Sequence, residues 1–95
     1  SAEQEIGDRP FAIYGAGFYG SYVYASLSRP EAVCAVVDQN PHIQGDEHFG
    51  VEVVAPEQLP SDVTDVIVGL NPRQARGIIA DVVEWRGRSL QFHYL

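Results

Sequence analysis

The chain of 95 residues contains no lysine, no methionine and a single cysteine. Without lysine there is no P-loop, whose ammonium must reach the phosphates, and no Schiff-base chemistry. Cys34 cannot form an internal disulfide; it lies in an apolar run and is expected to be a buried thiol. Positive charge is also scarce: six arginines stand against thirteen carboxylates, a net charge of −7. That balance repels nucleic-acid phosphates and anionic membrane surfaces, so neither is expected as a partner. No apolar run approaches the roughly 20 residues of a membrane span. The polar start, SAEQEIGDRP, lacks the basic and apolar regions of a signal peptide, which points to the cytoplasm. From the missing methionine and this polar start we expect a domain excised from a longer protein. Residues 1–9 are read as a flexible lead-in and residues 10–95 as one domain.

What is present alternates between strand and helix patterns. Phe11-Ala12-Ile13-Tyr14, Val33 to Val37 and Asp65 to Val68 are short apolar runs, as expected of strands buried on both faces of a parallel sheet. Val51 to Val54 alternates and reads as a strand near an edge, and Leu90 to Tyr94 as a last strand. Helices are expected from Phe18 to about Ser28, stopped by Pro30, and after Asn71-Pro72 until Gly87. In the second of these, Ala75, Ile78, Ile79, Val82 and Val83 share one face. QNPHIQGDEHFG, rich in turn formers, is expected to be a loop. The order implies a three-layer α/β/α domain with a mostly parallel sheet of about five strands, arranged 3-2-1-4-5.

The most specific signal is Gly15-Ala16-Gly17-Phe18-Tyr19-Gly20, a G-x-G-x-x-G run between a strand and a helix. Gly15 permits a tight turn, Gly17 lets a phosphate approach the backbone, and Gly20 lets the helix pack close to the strands. Amides near Phe18 and Tyr19 then face an anion at the positive helix end. Asp38 ends the next strand, where it can accept hydrogen bonds from a ribose diol. The plainer reading is that the glycines only shape the turn and Asp38 caps a loop. Phe18 and Tyr19 either line a pocket or fill it. On the same rim, Asn71 is expected to cap the later helix and Arg73 to contact phosphate, or else to be solvated; Arg76 is read as a solvated charge.

Other constellations are weaker. His42, Asp46, Glu47 and His48 match no compact ligand spacing and read as solvated loop side chains, so no metal site is assigned. His93, inside an apolar strand, reads as a satisfied core or edge histidine. No serine lies in a nucleophile elbow, and Tyr22, Tyr24 and Trp85 read as core or interface. No catalytic residue is assigned.

Taken together, IYGAGFYGSYVYASL, VVDQNPHIQGDEHFGVEVVAPEQLP and DVIVGLNP resemble the small Rossmann-like domain of bacterial carbohydrate-modifying enzymes. The C-terminal domain of sugar C-methyltransferases is the nearest form, on the D-Q-N-P-H-I-Q-G portion. Sugar acetyltransferases and polysaccharide-biosynthesis epimerases carry similar domains. The resemblance covers residues 11 to about 72. It implies binding of a nucleotide, above all a nucleotide-sugar, in support of chemistry performed by other domains of the parent protein. Gly15, Gly17, Gly20 and Asp38 are the residues that it places against the ligand. Two alternatives stand beside this reading: an NAD(P)-binding half-domain of an oxidoreductase or epimerase, and a degenerate domain that serves as an interaction module.

Overall fold

A computed structural model describes all of residues 1–95. The centre of its sheet is built from runs that lack polar alternation. Strands β1 (Phe11–Tyr14) and β5 (Asp65–Val68) are buried along their whole length, as strands covered on both faces must be. Around them lie β2 (Val33–Val37), β4 (Val51–Val54) and β6 (Gln91–His93), with a two-residue strand, β3 (Glu47–His48), at one edge. The order across the sheet is β3-β4-β2-β1-β5-β6. All pairings are parallel except that of β3 with β4. The five expected strands therefore stand in the expected order, and β3 is an addition to it.

That addition comes from the stretch expected to be wholly loop. Phe49 (φ 55) and Gly50 (φ 78) both take left-handed backbone, as both central residues of a type I′ hairpin turn must. Phenylalanine is an unusual residue for that conformation. Its ring stacks on Tyr24, with centroids 4.3 Å apart and planes 9° from parallel, and this contact fixes it.

Two apolar layers cover the sheet. On one face α1 (Ala2–Ile6) and α2 (Phe18–Ala25) bring Ile6 and Val23 onto Phe11, Ile13, Val36 and Val53. On the other, α3 (Ala75–Ala80) and a 3-10 turn at Val83–Trp85 bring Ile79, Val82 and Trp85 onto Tyr14, Val37 and Val68. The Trp85 indole N–H donates to the Pro56 carbonyl at 2.9 Å, a buried bond worth about 1 kcal/mol. The same ring meets Tyr14 edge-on at 5.6 Å.

Several boundaries differ from the expectation. The first nine residues carry α1 and pack against the domain, with Ile6 fully buried. The Glu3 carboxylate accepts the main-chain N–H groups of Ser28 and Arg29, each at 2.8 Å, and these bonds hold its pKa below the ordinary value. Helix α2 stops at Ala25, three residues early, where the Ser26 hydroxyl donates back to the Val23 carbonyl at 2.8 Å. Helix α3 is shorter still. Asn71 does not cap it; its side chain accepts the Arg73 N–H, and its carbonyl accepts those of Gln74 and Ala75, so residues 72–74 form a turn. The chain leaves α3 at Asp81, before the 3-10 turn that seats Trp85. Cys34 is exposed rather than buried, although its thiol turns inward to donate to the Phe11 carbonyl at 3.3 Å. Partial burial raises the pKa of that thiol.

The start of β5 holds the one buried carboxylate. Asp65 accepts from Arg9 at 3.0 and 3.3 Å, from the Thr64 hydroxyl at 2.8 Å and from His93 Nε2 at 3.0 Å. Burial pushes this carboxyl up, but the bonds from Arg9, His93 and Thr64 outweigh it and hold the pKa at about 2. Arg9 thus ties the segment after α1 to the sheet.

At its start, helix α2 meets the sheet backbone to backbone, through glycines. Gly15 sits at φ 107, and a Cβ on it would lie 2.4 Å from the Gly69 carbonyl oxygen. A Cβ on Gly20 would lie 1.9 Å from the Gly15 oxygen, and one on Gly69 would lie 2.7 Å from the Gly20 Cα. The obstructing atoms are backbone, so they cannot rotate away.

Two outcomes follow from these contacts. Gly20→Ala is expected to destabilise the domain by at least about 3 kcal/mol, as overpacking against backbone does; urea unfolding measures this directly. The Asp65 carboxyl has a folded pKa of about 2 and an ordinary value of 3.8. Its contribution of about 2 kcal/mol is therefore complete above about pH 4 and is lost as pH falls through about 2. Urea unfolding at neutral and acid pH is expected to show this loss in the native protein and a flatter profile in Asp65→Asn.

Candidate functional site

The C-terminal ends of β2, β1 and β5 lie side by side on one rim, and the chain leaves each of them through polar backbone. Hydrogen bonding continues past the strand ends. The Gly15 N–H donates to the Val37 carbonyl at 2.7 Å, and the Gly69 N–H donates to the Tyr14 carbonyl at 2.8 Å. The turn after β1 is thereby fixed to both neighbours before α2 begins.

Gly17 is the N-terminal flank of α2, with φ −92 and ψ −150, and no side chain caps the helix there. The first bond into the helix runs from the Ser21 N–H to the Gly17 carbonyl at 3.0 Å, so the amides of Phe18 and Tyr19 have no partner within the helix. A Cβ on Gly17 would meet nothing within 4 Å. Of the three fingerprint glycines, Gly15 and Gly20 are demanded by packing, and only Gly17 faces open space. An anion at this point would meet the positive end of an eight-residue helix.

Phe18 is 80% exposed. Its ring meets Tyr19 edge-on at 5.4 Å and stands in solvent, so it does not fill the space over Gly17. Ala16 is buried, and its N–H donates to Asp38 Oδ2 at 2.9 Å. The other Asp38 oxygen accepts the Asn40 N–H at 2.9 Å, and the Asp38 carbonyl accepts the Gln44 side-chain amide at 2.8 Å. Asp38 is thus a brace between the glycine turn and the loop after β2. A carboxylate has about four lone-pair directions, and two of those of Asp38 are taken, leaving acceptor capacity on its half-exposed side.

The structure brings Gly15, Ala16, Gly17, Phe18, Tyr19, Gly20 and Asp38 together. Asn71 and Arg73 follow β5 on the same rim. Asn71 is engaged in its turn, and the exposed Arg73 uses only its main-chain N–H there. Arg76, expected to be solvated, lies over the Tyr94 ring at 4.2 Å. Gly69, which the fingerprint does not include, belongs to the site because it sets the height of the turn. Its signal was a glycine directly after a fully buried strand. His42, Asp46, Glu47 and His48 do not converge, and no group of three or more His, Cys, Asp or Glu side chains is placed to hold a metal ion.

None of the three surface recesses touches the glycine turn. The largest, about 460 Å³, lies beside the starts of β5 and β6 and is bordered by Leu59, Val63 and Arg88. The Arg88 guanidinium there donates to the carbonyls of Leu59, Pro60 and Val63, which leaves it little capacity for a ligand. The amides of Phe18 and Tyr19 at the glycine turn, by contrast, have no partner within the helix. No helix is long and apolar enough to cross a membrane.

No protein-family model and no curated protein matches this chain. Solved structures do resemble it. UDP-D-quinovosamine 4-dehydrogenase from Vibrio fischeri aligns with a TM-score of 0.70 at 17% identity, over 94% of this chain and 79% of that one. RSP, a Rex-family repressor, aligns with a TM-score of 0.63 at 18% identity, over 98% of this chain and 56% of the other. The complex of RSP with β-NADH gives 0.63 at 17% identity, over 99% and 57%. The chain thus spans little more than half of the repressor. These likenesses establish a Rossmann-like α/β fold.

Proposed function

We propose that this domain binds a nucleotide, preferentially a nucleoside diphosphate sugar, at the Gly15–Gly20 turn and performs no catalysis of its own. In this reading residues 10–95 are the Rossmann-like unit of a longer cytoplasmic enzyme that modifies carbohydrate, such as a sugar methyltransferase. Other domains of that enzyme supply the chemistry. The observation that carries the reading is the uncapped start of α2, with open space over Gly17 and packing-enforced glycines on either side. A diphosphate bound there would accept the Phe18 and Tyr19 amides. Asp38 would face the ribose, and Arg73 would approach from the neighbouring loop. The likeness in fold to a dehydrogenase of a UDP-sugar supports that ligand class.

A second reading, binding of NAD, rests on the likeness in fold to a repressor solved with NADH and on Asp38 at the end of β2. The two are separated by titrating the protein with UDP, a UDP-sugar and NADH in a calorimeter. The first reading expects saturable binding of the UDP-sugar, and the second expects binding of NADH alone. Gly17→Val separates binding from folding, because its side chain enters open space at an ordinary φ. The variant is expected to melt within a few degrees of the native protein and to lose at least tenfold in affinity, about 1.4 kcal/mol. Undiminished binding by Gly17→Val would remove the site from the glycine turn, and no binding of any of the three ligands would remove the function.

A further inference from the structure

Charge is divided unevenly along the chain. Residues 71–95 hold four of the six arginines and two carboxylates, Asp81 and Glu84, whereas residues 1–70 hold two arginines and eleven carboxylates. The fold carries this division to opposite edges of one sheet. At the β6 edge, Arg76 and Arg86 border a recess of about 240 Å³ walled by Trp85, Phe92 and Tyr94. At the far edge, Glu47 of β3 stands directly opposite Glu52 of β4, with exposed Asp46 beside them. Like charges directly opposite across a strand pair are unfavourable. The only ion pairs in the molecule join Asp65 to Arg9 and His93, so neither the two arginines nor the two glutamates have an internal partner of opposite charge.

The two sets of charges also share a face. Side chains alternate along a strand. Val53 packs with the α1–α2 layer and Val54 with the α3 layer, so Glu52, and Glu47 opposite it, belong to the α3 face. The recess belongs to that face as well, because Ile79, Val82, Trp85 and Phe92 line it and pack in the same layer. Both edges are unpaired. Gln91 turns its N–H to the Thr64 carbonyl at 2.7 Å, so the main-chain groups of Phe92 point away from the sheet. Strand β6 has no proline, lysine or bulge to deter pairing.

We propose that the β6 edge docks head to tail against the β3–β4 edge of a second copy of this chain, Arg76 and Arg86 meeting Glu47 and Glu52. An edge-to-edge joint continues the sheet with its faces aligned, so the arginines and glutamates arrive on the same side. Arg76 is already held over Tyr94, and the stem of an incoming glutamate fits the aromatic recess. The joint is heterologous, so association grows beyond a dimer unless the rotation closes a ring. It uses an edge of the molecule, not the glycine turn, and stands independently of the nucleotide reading.

The test is sedimentation equilibrium of the full chain up to about 1 mM at low and high salt, where the screening length falls several-fold. The native protein is expected to associate with concentration and to lose at least tenfold in association constant at high salt. Two double variants decide the contact: Arg76→Glu with Arg86→Glu, and Glu47→Arg with Glu52→Arg. Each alone is expected to be monomeric, and an equimolar mixture to associate, because each joint in it again pairs opposite charges. Melting temperatures check that both variants fold. Should either fail, the neutral pairs Arg76→Gln with Arg86→Gln and Glu47→Gln with Glu52→Gln take its place, and each is expected to lose association. A native protein that stays monomeric at the highest concentration would overturn the proposal. So would association that survives the charge changes, which would place the contact elsewhere, or folded charge-reversal variants that stay apart when mixed.

Discussion

Three stretches of backbone meet at Gly15, Gly20 and Gly69 with no side chain between them, and the site depends on that meeting. Helix α2 can begin directly above β1 and β5 only because hydrogen atoms stand where Cβ atoms would collide with neighbouring backbone. Close approach of backbone to backbone is the condition for everything on the rim. It aims the first amides of α2 outward over the strand ends, and it leaves Gly17 as the point where something other than protein can come near. A larger residue at any of the three contacts would lift the helix, and the amides would lose their position relative to Asp38. The constraint is steric and local, and no gain in apolar burial can substitute for it.

The loop after β2 is fitted to the turn by a polar counterpart of the same principle. Asp38 takes the Ala16 N–H on one oxygen and the Asn40 N–H on the other, while Gln44 holds its carbonyl. A buried main-chain amide at Ala16 would otherwise lack a partner, at a cost of about 1–3 kcal/mol. The structural and ligand-binding readings of Asp38 are therefore compatible. The carboxylate shapes the turn with part of its acceptor capacity and presents the remainder to whatever lies above it.

Much of this was legible in the sequence because strands buried on both faces cannot alternate. The runs at 11–14, 33–37 and 65–68 admitted few other readings, and the glycines between strand and helix fixed the start of α2. What escaped was set by contacts between distant residues. The polar stretch at 1–9 gave no sign that Glu3 would cap the Ser28 and Arg29 amides or that Arg9 would reach Asp65. The hairpin at Phe49-Gly50 was hidden because phenylalanine is a poor residue for left-handed backbone, and only the ring of Tyr24, 25 residues earlier, makes it acceptable. The helix after Pro72 read as continuous because its apolar spacing runs through Val83. The indole of Trp85 ends it early, being drawn to Pro56 and the Tyr14 ring.

Those long-range contacts divide the sheet into regions with different duties. At the strand starts, Asp65 gathers Arg9, Thr64 and His93, and Arg88 satisfies three carbonyls, so polar groups are consumed within the fold. At the opposite rim the balance reverses, because glycine removes side chains and helix geometry frees amides. The edges differ again: their charges are sorted by sign and lack internal partners, although Arg76 and Arg86 lie within one chain with thirteen carboxylates. Screening in water makes exposed charges weak contributors to folding, so the sorting adds little to the stability of a single copy. It acts on what approaches from outside, and by sign it directs the β6 edge toward acidic surface and the β3–β4 edge toward basic surface.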